Sequence, residues 1–486
     1  MLPHSVRVQD VILPRLLTEC IGPREGSRAG AGPRRRAVHY CDARALLSRS
    51  IGDGSADNAS TDNDDPRPAE TVRHDALEAP QYARRRVDAE AGRAYRPSSR
   101  MSDPRPERTD VVVIGCGAIG ASVAYHLARE GIRVTVVDRD PVGSGASSAN
   151  PGTVSLATKK PGLSLALARA AQLRFLELSS ELSHDVEYEQ CGTLIVAESE
   201  DELTFLADLA ARQRAGGARV EIVDSIRARQ ICTLLNGSVV GGSYCATDGQ
   251  VNPFQVTYGF ARAAERHGAK IMPKVAVTGI ELHNGRVRSV TTDHGSIRAD
   301  WVINATGAFA DDVAAMVGVR HGVVPRRGQV LVLAAEDELP PVKILSTRQL
   351  LAKHRADGSA GRLSFGYAWK PRSRTVILGS TNESVGFDRR TSEEGIAWIA
   401  GYATRVMPAL AELPVLRMWA GLRPYREGGP IVGRAGGPGG YIAATGHAGD
   451  GIALSPVTGA HVADVVVRGA ADLSTESFIE PVLVAD

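Results

Sequence analysis

Three glycines and one aspartate have the types and the spacing that nucleotide binding requires. Gly115, Gly117 and Gly120 form the pattern G-x-G-x-x-G, and Asp138 follows at the end of the next apolar segment. In such a pattern the first glycine makes a tight turn, the second lets a pyrophosphate approach the backbone, and the third lets a helix pack closely on a sheet. A carboxylate at the position of Asp138 suits a ribose hydroxyl. The pattern therefore predicts a dinucleotide site.

A strand, a helix and a second strand are needed to position these residues. The apolar run at 111–114 precedes the glycines, a helix-like run continues to Gly131, and the apolar residues 134–137 lead into Asp138. The N-terminus of the helix would direct N–H groups and its positive dipole end at the phosphates. The alternative is an ordinary glycine turn of an α/β protein. The complete order of strand, helix, strand and acid favours the dinucleotide.

The composition limits the classes of function. At 486 residues the chain has room for two or three domains, and 43% apolar residues support a sizeable core. A net charge of +2 gives no electrostatic reason to expect a nucleic acid partner. None of the six cysteines is spaced as C-x-x-C, so we expect no metal site and reduced thiols in a cytoplasmic protein. No apolar run approaches the roughly 18 residues of a membrane helix.

The N-terminal part of the chain differs from the rest. Residues 1–107 are rich in Arg, Asp, Ala, Gly and Pro and show no sustained periodicity. Low hydrophobicity with mixed charge predicts disorder. A basic interaction arm is one interpretation, and an unfolded or wrongly started extension is the one we favour. A second methionine, Met101, lies just before the first strand, and the ordered protein is expected to begin near Pro106.

Small and hydroxyl-bearing residues are concentrated in the loop at 143–155. Such residues let the backbone run against a ligand, and Ser147, Ser148 and Asn150 are able to exchange hydrogen bonds with it. A plain flexible loop is the alternative. The position directly after the ribose-binding acid favours contact with the nucleotide.

The remaining elements follow from helix caps and turns. Ser199 and Glu202 form a capping box for a helix at about 201–214, and Asn252 with Pro253 begins another helix. The other expected elements are helices at 163–182, 308–317, after Ser392 and at about 457–468, and strands at 275–282, 286–292, 299–304, 329–333, 363–369, 376–380 and 441–444.

Six motifs in this order resemble one protein family. They are the glycine fingerprint, GASSANPG, INATG, VPRRGQ, WAGLRPYREGGPIVG and ATGHAGDGIALSPVTG. The set resembles the D-amino-acid oxidase (DAO) family of flavoproteins over about residues 109–472. Within that family it is most similar to glycine oxidase, the sarcosine oxidase β subunit, and the flavoprotein subunits of hydrogen cyanide synthase, opine oxidases and D-hydroxyproline dehydrogenases. None of the motifs is specific for a substrate.

The resemblance implies an α/β fold. It consists of a Rossmann-like FAD-binding domain of the glutathione-reductase type and an α+β substrate domain on a mixed sheet. The FAD-binding domain would comprise residues 108–190, 246–322 and 419–472, and the substrate domain residues 191–245 and 323–418, before a tail at 473–486. FAD is expected to be noncovalent, because no cysteine matches a position where covalently flavinylated members attach it.

The resemblance also implies which residues contact FAD. The loop GASSANPG would pass the flavin ring, the backbone of Val275 would meet the adenine, and residues 446–452 would face the flavin's pyrimidine edge. The expected cofactor-binding residues are Gly115, Gly117, Ala118, Ile119, Gly120, Asp138, Arg139, Ser147, Ser148, Asn150, Gly152, Val275, Thr306, Gly307, Gly446, Gly449, Asp450, Gly451 and Ile452.

Arg423 matches the arginine that binds the substrate carboxylate in glycine oxidase. A guanidinium makes a bidentate, charge-assisted pair with a carboxylate and so orients the neighbouring carbon. The alternative is a structural arginine that bridges strands. Glycine oxidase carries a second arginine in the final turn, where this chain has Gly449 and Asp450. That departure disfavours glycine and favours a larger or secondary amino acid. Asp450 has two candidate roles, to meet a second cationic group or to cap the last helix, and we favour the cap.

Three further residues are candidates for the pocket. Neutral imidazole suits a base at pH 7, but we expect His447 to contact the flavin rather than to act as the base. Tyr367 and Tyr425 are possible pocket residues, although core tyrosines are common.

The expected function is that of an FAD-dependent oxidoreductase acting on the C–N bond of an amino acid or secondary amine. The motif GHAGDGIALSP favours a dehydrogenase that passes electrons to partner subunits in a hetero-oligomer. A stand-alone oxidase that uses oxygen is the first alternative. An FAD-bound assembly subunit without turnover is weaker, because it leaves Arg423 without a role.

Overall fold

The structure, a computed structural model, describes residues 7–8, 108–354 and 365–469. The predicted tail at 473–486 and nearly all of the predicted extension at 1–107 lie outside these residues. Within the extension, Val8 is buried, and its N–H donates to the carbonyl of Leu413 at 3.3 Å.

The helices in the described ranges are α1 (Ala118–Arg129), α2 (Leu163–Glu181), α3 (Glu200–Ala215), α4 (Ser225–Ile231), α5 (Pro253–Arg266), α6 (Ala310–Ala315), α7 (Thr347–His354), α8 (Glu393–Val406) and α9 (Gly451–Arg468). The strands are β1 (Val111–Ile114), β2 (Val134–Asp138), β3 (Thr153–Val154), β4 (Thr193–Ala197), β5 (Glu221–Asp224), β6 (Gly241–Cys245), β7 (Gly249–Gln250), β8 (Lys270–Pro273), β9 (Val277–His283), β10 (Arg286–Thr292), β11 (Gly295–Arg298), β12 (Trp301–Asn304), β13 (Val324–Ala334), β14 (Lys343–Ser346), β15 (Gly366–Lys370), β16 (Thr375–Gly379), β17 (Val415–Tyr425), β18 (Ile431–Gly433) and β19 (Tyr441–Thr445).

The strand that precedes the glycine motif lies inside a six-stranded sheet of order β18-β19-β12-β1-β2-β8. Its pairs are parallel except β18 with β19. Alternate side chains of β1 point to opposite faces. Val111 and Val113 belong to the core that includes α1, α5 and α9, whereas Val112 and Ile114 pack with the three-stranded sheet β9–β11. The all-apolar β1 is thus explained by burial on both faces.

The second large sheet has eight strands in the order β17-β13-β16-β15-β14-β4-β6-β5. Its pairs are antiparallel except β14 with β4, and α8 packs against it in a second core. The fold is therefore mixed α/β with a mixed second sheet, as predicted. The division into domains stays a prediction, and β17, which crosses the predicted boundary at residue 419, lies wholly in the eight-stranded sheet.

Helix caps read from the sequence form as expected. The side chain of Ser199 accepts from the N–H of Glu202 at 3.3 Å, and that of Asn252 accepts from the N–H of Phe254 at 3.1 Å. The side chain of Ser392 accepts from the N–H of Gly395 at 3.2 Å. These contacts are local in sequence, and so they could be predicted from spacing alone.

The start of the last helix was predicted wrongly. The helix α9 begins at Gly451 rather than near residue 457, and it contains Pro456. Because proline has no N–H, the carbonyl of Ile452 lacks its helical donor, and it accepts the hydroxyl of Ser455 at 2.8 Å instead. The hydroxyl of Ser122 on α1 donates to the carbonyl of Ser455 at 2.7 Å. Contact with α1 thus holds a turn that proline would disfavour in isolation.

Candidate functional site

A cavity of about 800 Å³ is lined by residues of both large sheets. The expected residues that line it are Gly115, Gly117, Ala118, Ile119, Asp138, Arg139, Ser147, Asn150, Val275, Thr306, Gly307, Arg423, His447, Gly449, Asp450, Gly451 and Ile452. Gly120, Ser148, Gly152 and Gly446 are not among the lining residues. The structure therefore brings segments that are far apart in sequence to one site.

The glycine motif forms the floor of one end of the cavity. Gly115 has φ of +99°, and a Cβ there would lie 2.6 Å from the carbonyl oxygen of Ala305. A Cβ at Gly120 would overlap the carbonyl of Gly115, so this glycine serves close packing rather than ligand contact. Gly117 is the N-cap of α1 and provides no side-chain cap. The first turn of α1 therefore presents N–H donors to the cavity.

The loop after β2 is held by its own polar side chains. The hydroxyl of Ser147 accepts from the N–H of Ala118 at 2.9 Å, which ties the loop to the start of α1. The amide of Asn150 donates to the carbonyls of Ala146 and Ser147 and accepts from the N–H of Gly152 at 2.8 Å. The hydroxyl of Ser148 donates to the carbonyl of Gly145 at 3.1 Å. Many of the polar groups from which we predicted ligand contact thus form hydrogen bonds that hold the loop in its conformation.

Asp138 lies at the cavity, and its carboxylate also organises the glycine turn. One oxygen accepts from the N–H of Cys116 at 2.6 Å and the other from the N–H of Asp140 at 2.8 Å. Burial raises the pKa of Asp138, and these two N–H donors oppose the shift. The N–H of Val275 donates to the carbonyl of Asp138 at 2.8 Å, so the predicted adenine segment lies beside the predicted ribose acid.

Asp450 does not cap the last helix, contrary to expectation. Its side chain makes no capping hydrogen bond, and its carboxylate forms an ion pair with Lys159, whose side chain is only 3% exposed. The first turn of α9 therefore has N–H groups that no side chain caps. His447, four residues before the helix, is buried, and its Nε2 lies 3.1 Å from the hydroxyl of Thr458. Burial lowers the pKa of His447 to about 4, so the imidazole is neutral at pH 7.

Arg423 on β17 lies at the other end of the cavity. Its guanidinium donates to the carbonyl of Thr381 at 2.9 Å, to the carbonyl of Arg327 at 3.4 Å and to the hydroxyl of Ser380. It pairs with no carboxylate in the described part of the chain. Burial lowers the pKa of Arg423 to about 10, which still leaves it charged at pH 7. A cation that touches only neutral oxygens is suited to bind an anion from the cavity.

Sequence reasoning missed a second arginine on the same face. Arg326 on β13 pairs directly with Arg423, and its guanidinium lies 3.5 Å from the centre of the Tyr425 ring. Both Arg326 and Tyr425 line the cavity, whereas Tyr367 is a core residue whose hydroxyl donates to the carbonyl of Pro340 at 3.0 Å. The motif VPRRGQ contained Arg326, but only the strand register shows which of its two arginines faces the cavity.

The family assignment follows from comparison with known proteins. The sequence profile of the DAO family, described as FAD dependent oxidoreductase, matches residues 110–465 of this chain. This chain belongs to the DAO family of FAD-dependent oxidoreductases.

Its relatives share most of the described region. Glycine oxidase from Geobacillus kaustophilus is 30% identical over 74% of this chain and 93% of that protein. The hydrogen cyanide synthase subunit HcnC from Pseudomonas aeruginosa is 26% identical over 72% of this chain and 90% of that protein. A bifunctional ThiO/ThiG protein from Nostoc sp. is 29% identical over 75% of this chain, which spans only 53% of its length. The crystal structure of the Geobacillus kaustophilus glycine oxidase aligns with a TM-score of 0.69 and 27% identity over 76% of this chain and 98% of that chain.

The cavity fits the FAD of this DAO-family enzyme. Two helices, α1 and α9, begin at its wall, and their N-cap residues, Gly117 and Asp450, provide no side-chain cap. In α1 the hydroxyl of Ser147 accepts from the N–H of Ala118 only. Uncapped N–H groups and positive dipole ends suit a pyrophosphate at one terminus and the pyrimidine edge of a flavin at the other. None of the cysteines that the structure describes lines the cavity, in agreement with noncovalent binding.

No group of three or more His, Cys, Asp or Glu residues suited to a metal ion occurs in the described ranges. Among the helices that the structure describes, none has the length and the apolar character to cross a membrane.

Proposed function

We propose that this DAO-family protein oxidises the C–N bond of an amino acid or a secondary amine that carries a carboxylate. When bound, FAD supplies the acceptor for a hydride from the carbon next to the nitrogen, and water hydrolyses the imine product. The chain's own residues hold the substrate, orient it and exclude water around it. The relatives named glycine oxidase and hydrogen cyanide synthase subunit support an amino-acid substrate.

The guanidinium of Arg423, a half-buried residue at the wall of the cavity, is the observation that carries this proposal. Its three hydrogen bonds to Ser380, Thr381 and the backbone of Arg327 fix its position, and none of them is to a carboxylate. Glu383, the acid whose charge acts on Arg423, accepts its hydrogen bonds from Arg327 at 2.5 Å and from Gln329 at 2.7 Å rather than from Arg423. A substrate carboxylate would supply the missing negative charge and align the adjacent C–H bond.

An anaerobic substrate screen tests the proposal directly. The purified flavoprotein is mixed with D- and L-amino acids, N-alkyl amino acids and plain amines, and the flavin absorbance is followed. We expect bleaching by compounds that carry both a carboxylate and an amine. If no such compound bleaches the flavin, while FAD remains bound, the proposed function is wrong and the assembly-subunit alternative gains support.

We also infer that the electrons pass to partner subunits rather than to oxygen. This inference is supported by the relative HcnC, which is named as a subunit of a larger enzyme. The competing candidate is a stand-alone oxidase, which the 30% identity to a glycine oxidase favours. Reoxidation of the bleached flavin separates the two. A dehydrogenase should be reoxidised slowly by air and quickly by an artificial electron-accepting dye, and fast reoxidation by air with formation of hydrogen peroxide would establish the oxidase.

A further inference from the structure

Two neighbouring arginines of β13 have opposite surroundings. Arg327 and Arg326 are adjacent in the strand, so their side chains point to opposite faces of the sheet. Arg327 is neutralised twice, by Glu383 at 2.5 Å and by Asp388 at 3.4 Å. Arg326 makes no ion pair and no hydrogen bond with any residue of the described ranges, and its Nε is buried without an acceptor. Within the described ranges, the guanidinium of Arg326 contacts only the ring of Tyr425, on which it stacks.

The face that carries Arg326 also carries Arg423. The two residues are direct partners in the antiparallel pair of β13 and β17, and directly opposite residues have side chains on one face. Two positive charges therefore lie on neighbouring strands at the wall of the cavity. Burial lowers the pKa of Arg423, the charge of Glu383 raises it, and the charge of Arg326 lowers it further. Glu383 offsets part of the repulsion between these two like charges at Arg423, and an anion bound from the cavity would offset more of it.

The two guanidinium groups lean apart along the strands. A Cβ at Gly328 would overlap the guanidinium of Arg423, so that group lies over the position two residues beyond Arg326 on β13. The guanidinium of Arg326 lies over Tyr425, two residues beyond Arg423 on β17. Because the strands run in opposite directions, these displacements separate the two charges. The groups are thus arranged for two anions and not for a bidentate grip on one.

We propose that Arg326 binds a second carboxylate of the substrate. The substrate class is then an amine with two carboxylates: Arg423 binds the carboxylate next to the oxidised C–N bond, and Arg326 binds one carried either on the nitrogen substituent or on the side chain. This assignment rests on the proposed function. In this chain the final turn has Gly449 and Asp450 where glycine oxidase has a second arginine. Arg326, on β13, would supply a second cation from a different element.

Matched substrate pairs test the assignment and distinguish the two places for the second carboxylate. The pairs are N-ethylglycine with iminodiacetate, and norvaline with glutamate in each enantiomer, because each pair exchanges a methyl group for a carboxylate. The measured quantity is the preference, the ratio of kcat/KM for the dicarboxylate to that for its partner. We expect the wild-type protein to prefer the dicarboxylate in at least one pair.

The variant Arg326→Met should lower that preference by about 10- to 150-fold, the range expected for a lost charged hydrogen-bonded contact. Arg326→Lys should retain part of it. Arg423→Met should lower kcat/KM for both members of a pair and leave their ratio nearly unchanged. Arg417→Met is the matched control, because Arg417 lies on β17 at 5.7 Å from the centre of the Trp419 ring but does not line the cavity.

A binding measurement without turnover completes the test. Glutarate and pentanoate are titrated into the oxidised flavoprotein, and their binding is measured by calorimetry. Arg326→Met should weaken the binding of glutarate much more than that of pentanoate. An unchanged preference in Arg326→Met, or an equal loss for both members of each pair, would overturn the assignment. Bleaching by monocarboxylic amino acids would persist in that case, so the proposed function would stand although this inference had failed.

Discussion

The two ends of the cavity are built by different means. The end formed by β1, α1 and β2 uses backbone N–H groups and one carboxylate, all within residues 111–138. The end formed by β13 and β17 uses the side chains of Arg326 and Arg423, which lie far apart in sequence and meet through strand pairing. The first end suits a large cofactor common to a family. Under the proposed function, the second end selects the substrate, and it depends on only a few side chains.

The comparison predicts that changes at the β13–β17 end affect turnover and not FAD. The largest effect is expected for Arg423→Met, which removes the cation proposed to bind the substrate carboxylate. Breaking such a pair typically costs about 3–5 kcal/mol, so kcat/KM for amino acids should fall by roughly two to four decades. The value of kcat/KM for plain amines should fall far less, and the FAD content should remain normal. Equal losses for both classes, or loss of the flavin, would make Arg423 a structural residue.

A smaller effect of the same kind is expected for Gly328→Ala. The new Cβ would overlap the guanidinium of Arg423 and force it away from Ser380 and Thr381. A misplacement of about 1 Å in a positioning group can cost on the order of 100-fold in rate. Gly279→Ala is the control, since that strand glycine has its nearest neighbour, the Cβ of Thr291, at 3.9 Å. Full activity of Gly328→Ala with FAD bound would contradict the assigned role of the guanidinium.

At the α1 end the reverse pattern is expected, with loss of cofactor rather than of selectivity. Asp138→Ala should weaken FAD binding by about 10- to 100-fold, because a hydrogen bond to a charged group contributes about 1.5–3 kcal/mol. Asp138→Asn keeps an acceptor for the N–H of Cys116 but removes the charge. Comparison of the two variants therefore separates the loss of the glycine turn from the loss of the charged contact with the ribose. FAD affinity is measured by titration of the apoprotein. Unchanged affinity in Asp138→Ala would place the ribose elsewhere.

The smallest effect is expected at His447, which forms an isolated β-bridge with Tyr425 at the end of β17. The pKa of His447 is lowered to about 4 by burial, against an ordinary 6.5. The unfolded chain therefore binds the proton first, so this contribution to stability is complete above about pH 6.5 and is lost as the pH falls towards 4. His447→Gln should reduce the stability difference between pH 7 and pH 5 by about 2 kcal/mol in urea unfolding. The exposed His283→Gln is the control, and equal behaviour of both variants would reject the prediction.

Prediction from sequence succeeded where the determinants are local. The strand, glycine turn and helix at 111–129, the strand that ends at Asp138, and the caps at Ser199, Asn252 and Ser392 are each defined by residues a few positions apart. It failed at Asp450, which looked like a cap because it precedes a helix. The buried Lys159, distant in sequence, takes the carboxylate instead. It failed also at the start of α9, since contact with α1 compensates for Pro456.

The sequence by itself determined the cofactor class. The strand–glycine–helix–strand–acid order has little freedom to fold in another way, because each glycine meets a steric demand of its neighbours. Only the tertiary structure decided that Arg326 faces the cavity beside Arg423 while Arg327 faces Glu383. A shift of one residue in the pairing of β13 would exchange these two arginines, because successive side chains of a strand point to opposite faces. The register is fixed by long-range pairing between β13, β16 and β17, and no local pattern in the sequence carries that information.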